Sequence, residues 1–439
     1  MMNKKKIEIS KENIIFYYLI MIGILYLSYY FLEIVFDGQY FLSVFPNVSD
    51  DTFMDHFNSL NNAKFDPYQD KFSNYPAMAC LLYKMFLSMI PAEFRGGDGF
   101  ALRNIQTAMI PFIVYNVLVI WLIQVFVSEK SLLEKKSRTL FSILLLLSAP
   151  VVFTIERGNL IFLSFSLTMF FTFYFESENK VLREISFIAL ALAAAIKIYP
   201  AIFGFLLLKR KHVKETLRLV VYGLLAFVIP FFYYDGFESI KIMIQALGYT
   251  TNLSDKIGYG INLSLYNIIE TFSIIYGTNI SNIIIYIIYG IVLGLLFISF
   301  FIVKKKWQEL LCMTLILIFF PKTNYYYAMI FMLLPFIEFL NEWQTKQEKW
   351  SFVEYIGLAI FTIILVPWPS KLIPIFTDYK FPVSYTMLVY YLALCWMALL
   401  MFIELVKVFS QKKGKICGMI LFSGAGVFSV LTVVTAMLR

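Results

Sequence analysis

Three carboxylates and a histidine stand close together in the stretch SDDTFMDHFNSL (49–60): Asp50, Asp51, Asp55 and His56. A carboxylate held near a substrate hydroxyl can take its proton as a general base. Asp51 and Asp55 are four positions apart, so a helix over 51–62 puts both on one face. Asp50 fits the cap or first turn of such a helix, where the macrodipole favours an acid. His56 has two roles open, positioning an acceptor hydroxyl or simple solvation.

Four more polar motifs interrupt an otherwise apolar sequence: Glu156, Arg157 and Asn159 in ERGN, Lys197 and Tyr199 in KIYP, Asn262 and Ser264 in GINLSL, and Lys322, Thr323, Asn324 and Tyr326 in PKTNYYY. One cation at a membrane boundary is an interfacial anchor. Five clusters on one side of the membrane argue for a shared polar site. Acids with separated cations suit transfer of a group from a lipid-linked phosphate donor, because Arg and Lys neutralise the departing phosphate. Glu156 reads as orienting Arg157 by pairing. Asn262 and Ser264 either bond sugar hydroxyls or cap a helix. Tyr325, Tyr326 and Tyr327 form an interfacial belt or turn one ring inward to stack on a sugar.

The elements that must position these groups are membrane helices. The 439 residues are 60% hydrophobic and 15% charged, far less charged than a soluble protein. Lys and Arg exceed Asp and Glu by 37 to 29, and the surplus collects at 4–6, 209–214, 304–306 and 407–415. Those clusters read as cytoplasmic loops rather than a nucleic-acid surface. The N-terminus is therefore cytoplasmic, and an uncleaved first span at 14–36 delivers the acidic stretch to the external face. Further spans at about 105–128, 139–155, 159–176, 184–197, 199–208, 217–234, 281–303, 307–320, 326–339, 351–367, 384–405 and 416–437 bring the total to about 13 crossings. Several are too short for a 30 Å core, which predicts broken helices around a cavity. The apolar stretch 75–91 would break the alternation if it crossed, so it reads as a helix lying at the membrane surface. Residues 37–104 form an external loop, 105–340 the core and 341–439 the C-terminal spans of one all-α polytopic domain. Cys80, Cys312, Cys395 and Cys417 are scattered singly, without metal-ligand spacing. No Rossmann glycine fingerprint or P-loop is present, which disfavours nucleotide sugars and ATP-driven transport.

The order of an acidic first external loop, DPY (66–68), YPAM (75–78), ERGN, KIYP, NLSL and PKTNYYY resembles the GT-C glycosyltransferases, and more closely glycosyltransferase family 87. The resemblance implies a GT-C fold with external juxtamembrane helices and a catalytic acid in the first loop. It implies a polyprenyl-phosphate sugar as donor, inversion at the anomeric carbon, and no metal or other cofactor. Arg157, with Lys197 or Lys322, would meet the donor phosphate. Asp51 and Asp55 both stand as candidates for the base, with Asp51 at the spacing before DPY that fits the family. His56, Asn159, Tyr199, Asn262, Ser264 and Tyr326 would contact substrate. The partners implied are the donor, a glycan or glycolipid acceptor and the bilayer, with mannose only one of the sugars possible.

Two other readings compete. A polymerase or ligase of lipid-linked glycans also carries external arginines, but in one large late loop, whereas the largest loop here comes early. A transporter or flippase would carry polar groups near the midplane and paired repeats. Here they lie at one face, and no repeat is visible.

Overall fold

The computed structural model describes residues 11–35, 52–70, 73–257, 262–278, 280–346, 350–368 and 385–409. Asp50, Asp51, Cys417 and the expected last span at 416–437 lie outside them. The described residues are helical, with no strand beyond one isolated bridge between Asn262 and Tyr325.

The chain opens with α1 (Lys11–Val35), apolar and therefore long. Three short helices follow: α2 (Met54–Asn62), α3 (Ala77–Ser88) and α4 (Gly99–Arg103), the last capped by the Asp98 side chain. Next come α5 (Gln106–Lys130), α6 (Lys135–Leu146) and α7 (Ala149–Arg157). α6 and α7 meet at a 41° bend, where the sequence suggested one straight span at 139–155. The cause is local: Ser148 Oγ turns back to the Leu145 carbonyl at 2.7 Å, and Pro150 starts the second piece.

α8 (Ile161–Tyr174) and α9 (Lys180–Ile196) pack along each other, α9 starting on the Asn179 side chain, which accepts from the Val181 and Leu182 amides. A 3₁₀ turn at Tyr199–Gly204 leads to α10 (Phe205–Lys209), then α11 (Val213–Val228) and α12 (Phe237–Ile257). α13 (Leu265–Ile275) and α14 (Asn282–Ile302) precede α15 (Lys306–Phe319). A second 3₁₀ turn, Tyr326–Met332, joins α15 to α16 (Leu333–Thr345), and α17 (Phe352–Leu365) and α18 (Tyr385–Phe409) complete the set.

Among the described residues five helices are long and apolar enough to cross a membrane, in α1, α5, α11, α14 and α18, and the bent α6–α7 pair counts as a sixth if it is taken as one span. This makes the chain a membrane protein. The other crossings suggested by the sequence fall on helices such as α8 and α17, 14 residues each, or about 21 Å at 1.5 Å per residue. α15 is buried from Trp307 to Phe319 and packs against α16, α14 and α18 and against both 3₁₀ turns.

The two ends of α15 differ in chemistry. Where α15 starts, Glu309 is all but buried, and both its oxygens take the Arg210 guanidinium, at 3.0 and 2.6 Å, with Lys209 at 2.9 Å. Lys305, just before α15, and Lys346 share the buried Glu354. Where α15 ends, the PKTNYYY segment leads into a turn that packs on α7, and Tyr325 and Tyr327 there feel the Asp55 charge.

Candidate active site

The site is built on the junction of α2 with the end of α7. Phe53 precedes α2 in left-handed backbone (φ 63°), costly for a residue with a Cβ, and its amide donates to the Glu156 carbonyl at 2.6 Å. Gly158 ends α7, also left-handed (φ 67°). A Cβ there would lie 3.0 Å from His56 Cβ, 3.1 Å from Phe112 and 3.3 Å from the Phe53 carbonyl. The glycine of ERGN thus serves both a backbone angle and a close approach.

That approach sets Asp55 against the motif. Arg157 Nη2 donates to Asp55 Oδ1 at 2.6 Å, and Asn159 Nδ2 donates to Oδ2 at 2.9 Å. Asn159 is almost fully buried and braced: its own Oδ1 accepts from the Ile161 amide at 3.0 Å, and its Nδ2 lies 3.4 Å from the Tyr75 hydroxyl. Glu156 contributes its carbonyl to Phe53, while Arg157 pairs with Asp55.

Lys197 joins from the other side. It ends α9 in extended backbone, because the KIYP proline cannot continue the helix. Its Nζ lies 4.2 Å from the centre of the Tyr75 ring and 5.6 Å from that of Tyr327, a cation–π arrangement. Burial pushes this ammonium down to about 8, with the Asp55 charge opposing. The Tyr75 hydroxyl is pushed up by burial and then by Asp55, and Tyr325 by burial and then Asp55, with Arg157 acting the other way. The group is thus Asp55, Arg157, Asn159, Tyr75 and Lys197, with Tyr325 and Tyr327 beside it.

The other expected site residues are placed differently. His56 follows Asp55 on α2 and turns inward among Phe57, Tyr83, Phe86 and Phe112, fully buried, with neither ring nitrogen bonded to any described residue. Burial lowers it to about 3, so it is neutral. Asn262 Oδ1 accepts from the Ser264 and Asn324 amides, and Asn262 Nδ2 donates to the Lys322 carbonyl. Ser264 caps α13 by accepting from the Asn267 amide, while Asn324 Nδ2 donates to the Leu317 and Ile318 carbonyls at the end of α15. These side chains clasp two chain segments and so hold the turn that presents Tyr325. Lys322 Nζ lies 5.1 Å over the Tyr266 ring. Tyr326 is enclosed by Phe153 and Tyr390, leaving Tyr325 and Tyr327 as the tyrosines beside Asp55. Tyr199 is partly buried against Phe331, its hydroxyl unpaired among the described residues.

Tyr75 is the member of the group that reading for charge passes over, whereas Tyr325 and Tyr327 stand in the segment read above as a belt or a sugar-stacking surface. Tyr75 stood in plain view in YPAM, and α3, which it precedes, packs on α9 and brings it under Lys197. Beside Lys197 an apolar cavity of about 380 Å³ runs between α9, the 3₁₀ turn, α10 and α11. It is lined by Leu190, Ala194, Ile198, Ala201, Leu219 and Phe227 among others, and the exposed Val220 and Leu224 of α11 give it an open apolar wall.

No curated protein matches the chain. The sequence profile of glycosyltransferase family 87 matches residues 85–321, a span that holds Arg157, Asn159 and Lys197 and begins after Asp55 and Tyr75. With a little over half its length so matched, this membrane chain belongs to glycosyltransferase family 87 and is a glycosyltransferase.

Proposed function

We propose that the protein moves one sugar, mannose or another hexose, from a polyprenyl-phosphate donor to a glycan or glycolipid acceptor on the external face of the cell membrane. The observation that carries this reading is the Asp55–Arg157 pair with Lys197 near enough to feel the Asp55 charge, from three separate segments, together with an apolar groove lined by the residue after Lys197. Ile198, next to Lys197, lines that groove. A polyprenyl tail lying along it would bring its phosphate to the two cations, and the groove's open apolar side lets the tail enter from the bilayer.

In the reaction, the acceptor oxygen attacks the anomeric carbon from the side opposite the phosphate. The bond from that carbon to the phosphate oxygen breaks, its electron pair staying with polyprenyl phosphate. Asp55 takes the acceptor's proton. Arg157 and Lys197 stabilise the charge growing on the leaving phosphate, and such stabilisation accelerates the step because that charge is greatest in the transition state. One displacement inverts the anomeric centre, and a phosphate leaving group removes the need for the second carboxylate of the glycosidases. Tyr75, Tyr325 and Tyr327 offer ring faces for the sugar.

The test uses the full chain in lipid nanodiscs with membrane glycolipids as acceptors. Polyprenyl-phosphate hexoses should yield product of inverted anomeric configuration and free polyprenyl phosphate. Transfer from nucleotide sugars instead, or a retained configuration, would refute the reading.

A further inference from the structure

Asp55 is held by two groups of unequal freedom. Asn159 is about 1% exposed, and its side chain is fixed at both ends, on the Ile161 amide and on Asp55 Oδ2. Arg157 is the last residue of α7, and its side chain remains 18% exposed at the end of a long stem, with the partner carboxylate 20% exposed. A guanidinium so placed can turn toward a new anion while the Asn159 bond stays. Lys197 stands nearby over the Tyr75 ring, a second cation for the donor phosphate of the reading above.

We propose that the donor phosphate takes Arg157 from Asp55, which makes Arg157 the latch on the base and Asn159 its positioning residue. Before the donor arrives, Arg157 occupies Oδ1. When phosphate draws the guanidinium away, Oδ1 is released to accept the acceptor's proton, while Asn159 keeps the carboxylate aimed through Oδ2. Donor therefore binds before acceptor, and the base is released only when a phosphate is in place. This rests on the donor reading above. It adds that Asp55 and phosphate compete for one guanidinium instead of sharing it.

Competition has a signature that a merely structural ion pair lacks: removing the carboxylate's charge improves phosphate binding. The probe is polyprenyl phosphate, titrated onto the full chain in nanodiscs and followed by tryptophan fluorescence. Asp55→Asn should bind it about three- to fivefold more tightly than wild type, the size of a partly exposed ion pair. Arg157→Gln should bind it more weakly. In the double variant the gain from Asp55→Asn should shrink below about twofold, because its route is gone. Asp55→Ser serves as the second variant if Asp55→Asn unfolds, with the same expectation. Equal or weaker binding by both Asp55 variants overturns the latch, as does a gain that persists in full without Arg157. Those results leave the donor reading standing if wild type binds the probe, whereas failure of wild type to bind removes both.

Discussion

Replacing Lys197 with methionine keeps the apolar stem against the Tyr75 ring and removes the charge. In the wild type, burial brings this ammonium down to about 8 from the ordinary lysine range. It is therefore mostly cationic at pH 7, and about one tenth remains charged at pH 9. The donor's phosphodiester keeps its single charge over that interval. kcat/KM for the donor, which reports the free enzyme, should hold a plateau near pH 7 and fall about tenfold by pH 9. Unfolding does not supply this limb through Lys197, because a lysine lowered in the folded state gives up its destabilising charge as pH rises. Loss of one charge-assisted hydrogen bond is worth about 1.5–3 kcal/mol, so Lys197→Met should lower kcat/KM about 10- to 150-fold at pH 7 and flatten the alkaline limb. The assay is initial velocity against donor concentration from pH 6.5 to 9.5 in nanodiscs. A flat wild-type profile, or a Met variant that keeps the falling limb, refutes the placement of Lys197 at the phosphate.

Three further outcomes follow from the geometry. His56→Leu removes two buried nitrogens that no described residue satisfies, so apparent stability should rise by about 1 kcal/mol with transfer within about twofold; a tenfold loss of transfer would return His56 to the chemistry. Gly158→Ala meets a left-handed angle worth about 1–2 kcal/mol and contacts at 3.0–3.3 Å, so thermal unfolding should come earlier and transfer should fall as α2 is pushed from α7. Glu309→Gln removes the buried carboxylate charge that Arg210 and Lys209 share at the far end of α15, leaving Arg210 only Glu176 and Lys209 only backbone carbonyls, which should cost about 3 kcal/mol in stability while the donor KM of the surviving protein is unchanged.

The sequence carried the polar motifs and their order, since residues such as Arg157 and Lys197 have no place in lipid without a partner. It did not carry the partners. Asp55 and Arg157 are 102 positions apart, and their meeting depends on two left-handed residues, Phe53 and Gly158, at a junction no periodicity announces. Neighbours on a helix diverge by about 100°, which is why Asp55 faces the polar group while His56, one residue later, enters the aromatic core. Asn262 and Ser264 look like ligands in a string of letters, yet their hydrogen bonds go to backbone. The crossing count was the least legible feature. Apolar runs of 14 residues look alike whether they cross, bend as α6 and α7 do, or stop short, and only tertiary packing distinguishes them.

The claim on which the rest depends is that Asp55 takes the acceptor's proton. The most direct measurement compares single-turnover transfer from a polyprenyl-phosphate hexose by wild type, Asp55→Asn and Asp51→Asn at matched folded fraction. The account predicts that Asp55→Asn loses at least about 100-fold, the scale of general-base catalysis, with Asp51→Asn far less affected. Transfer by Asp55→Asn within about tenfold of wild type would contradict it.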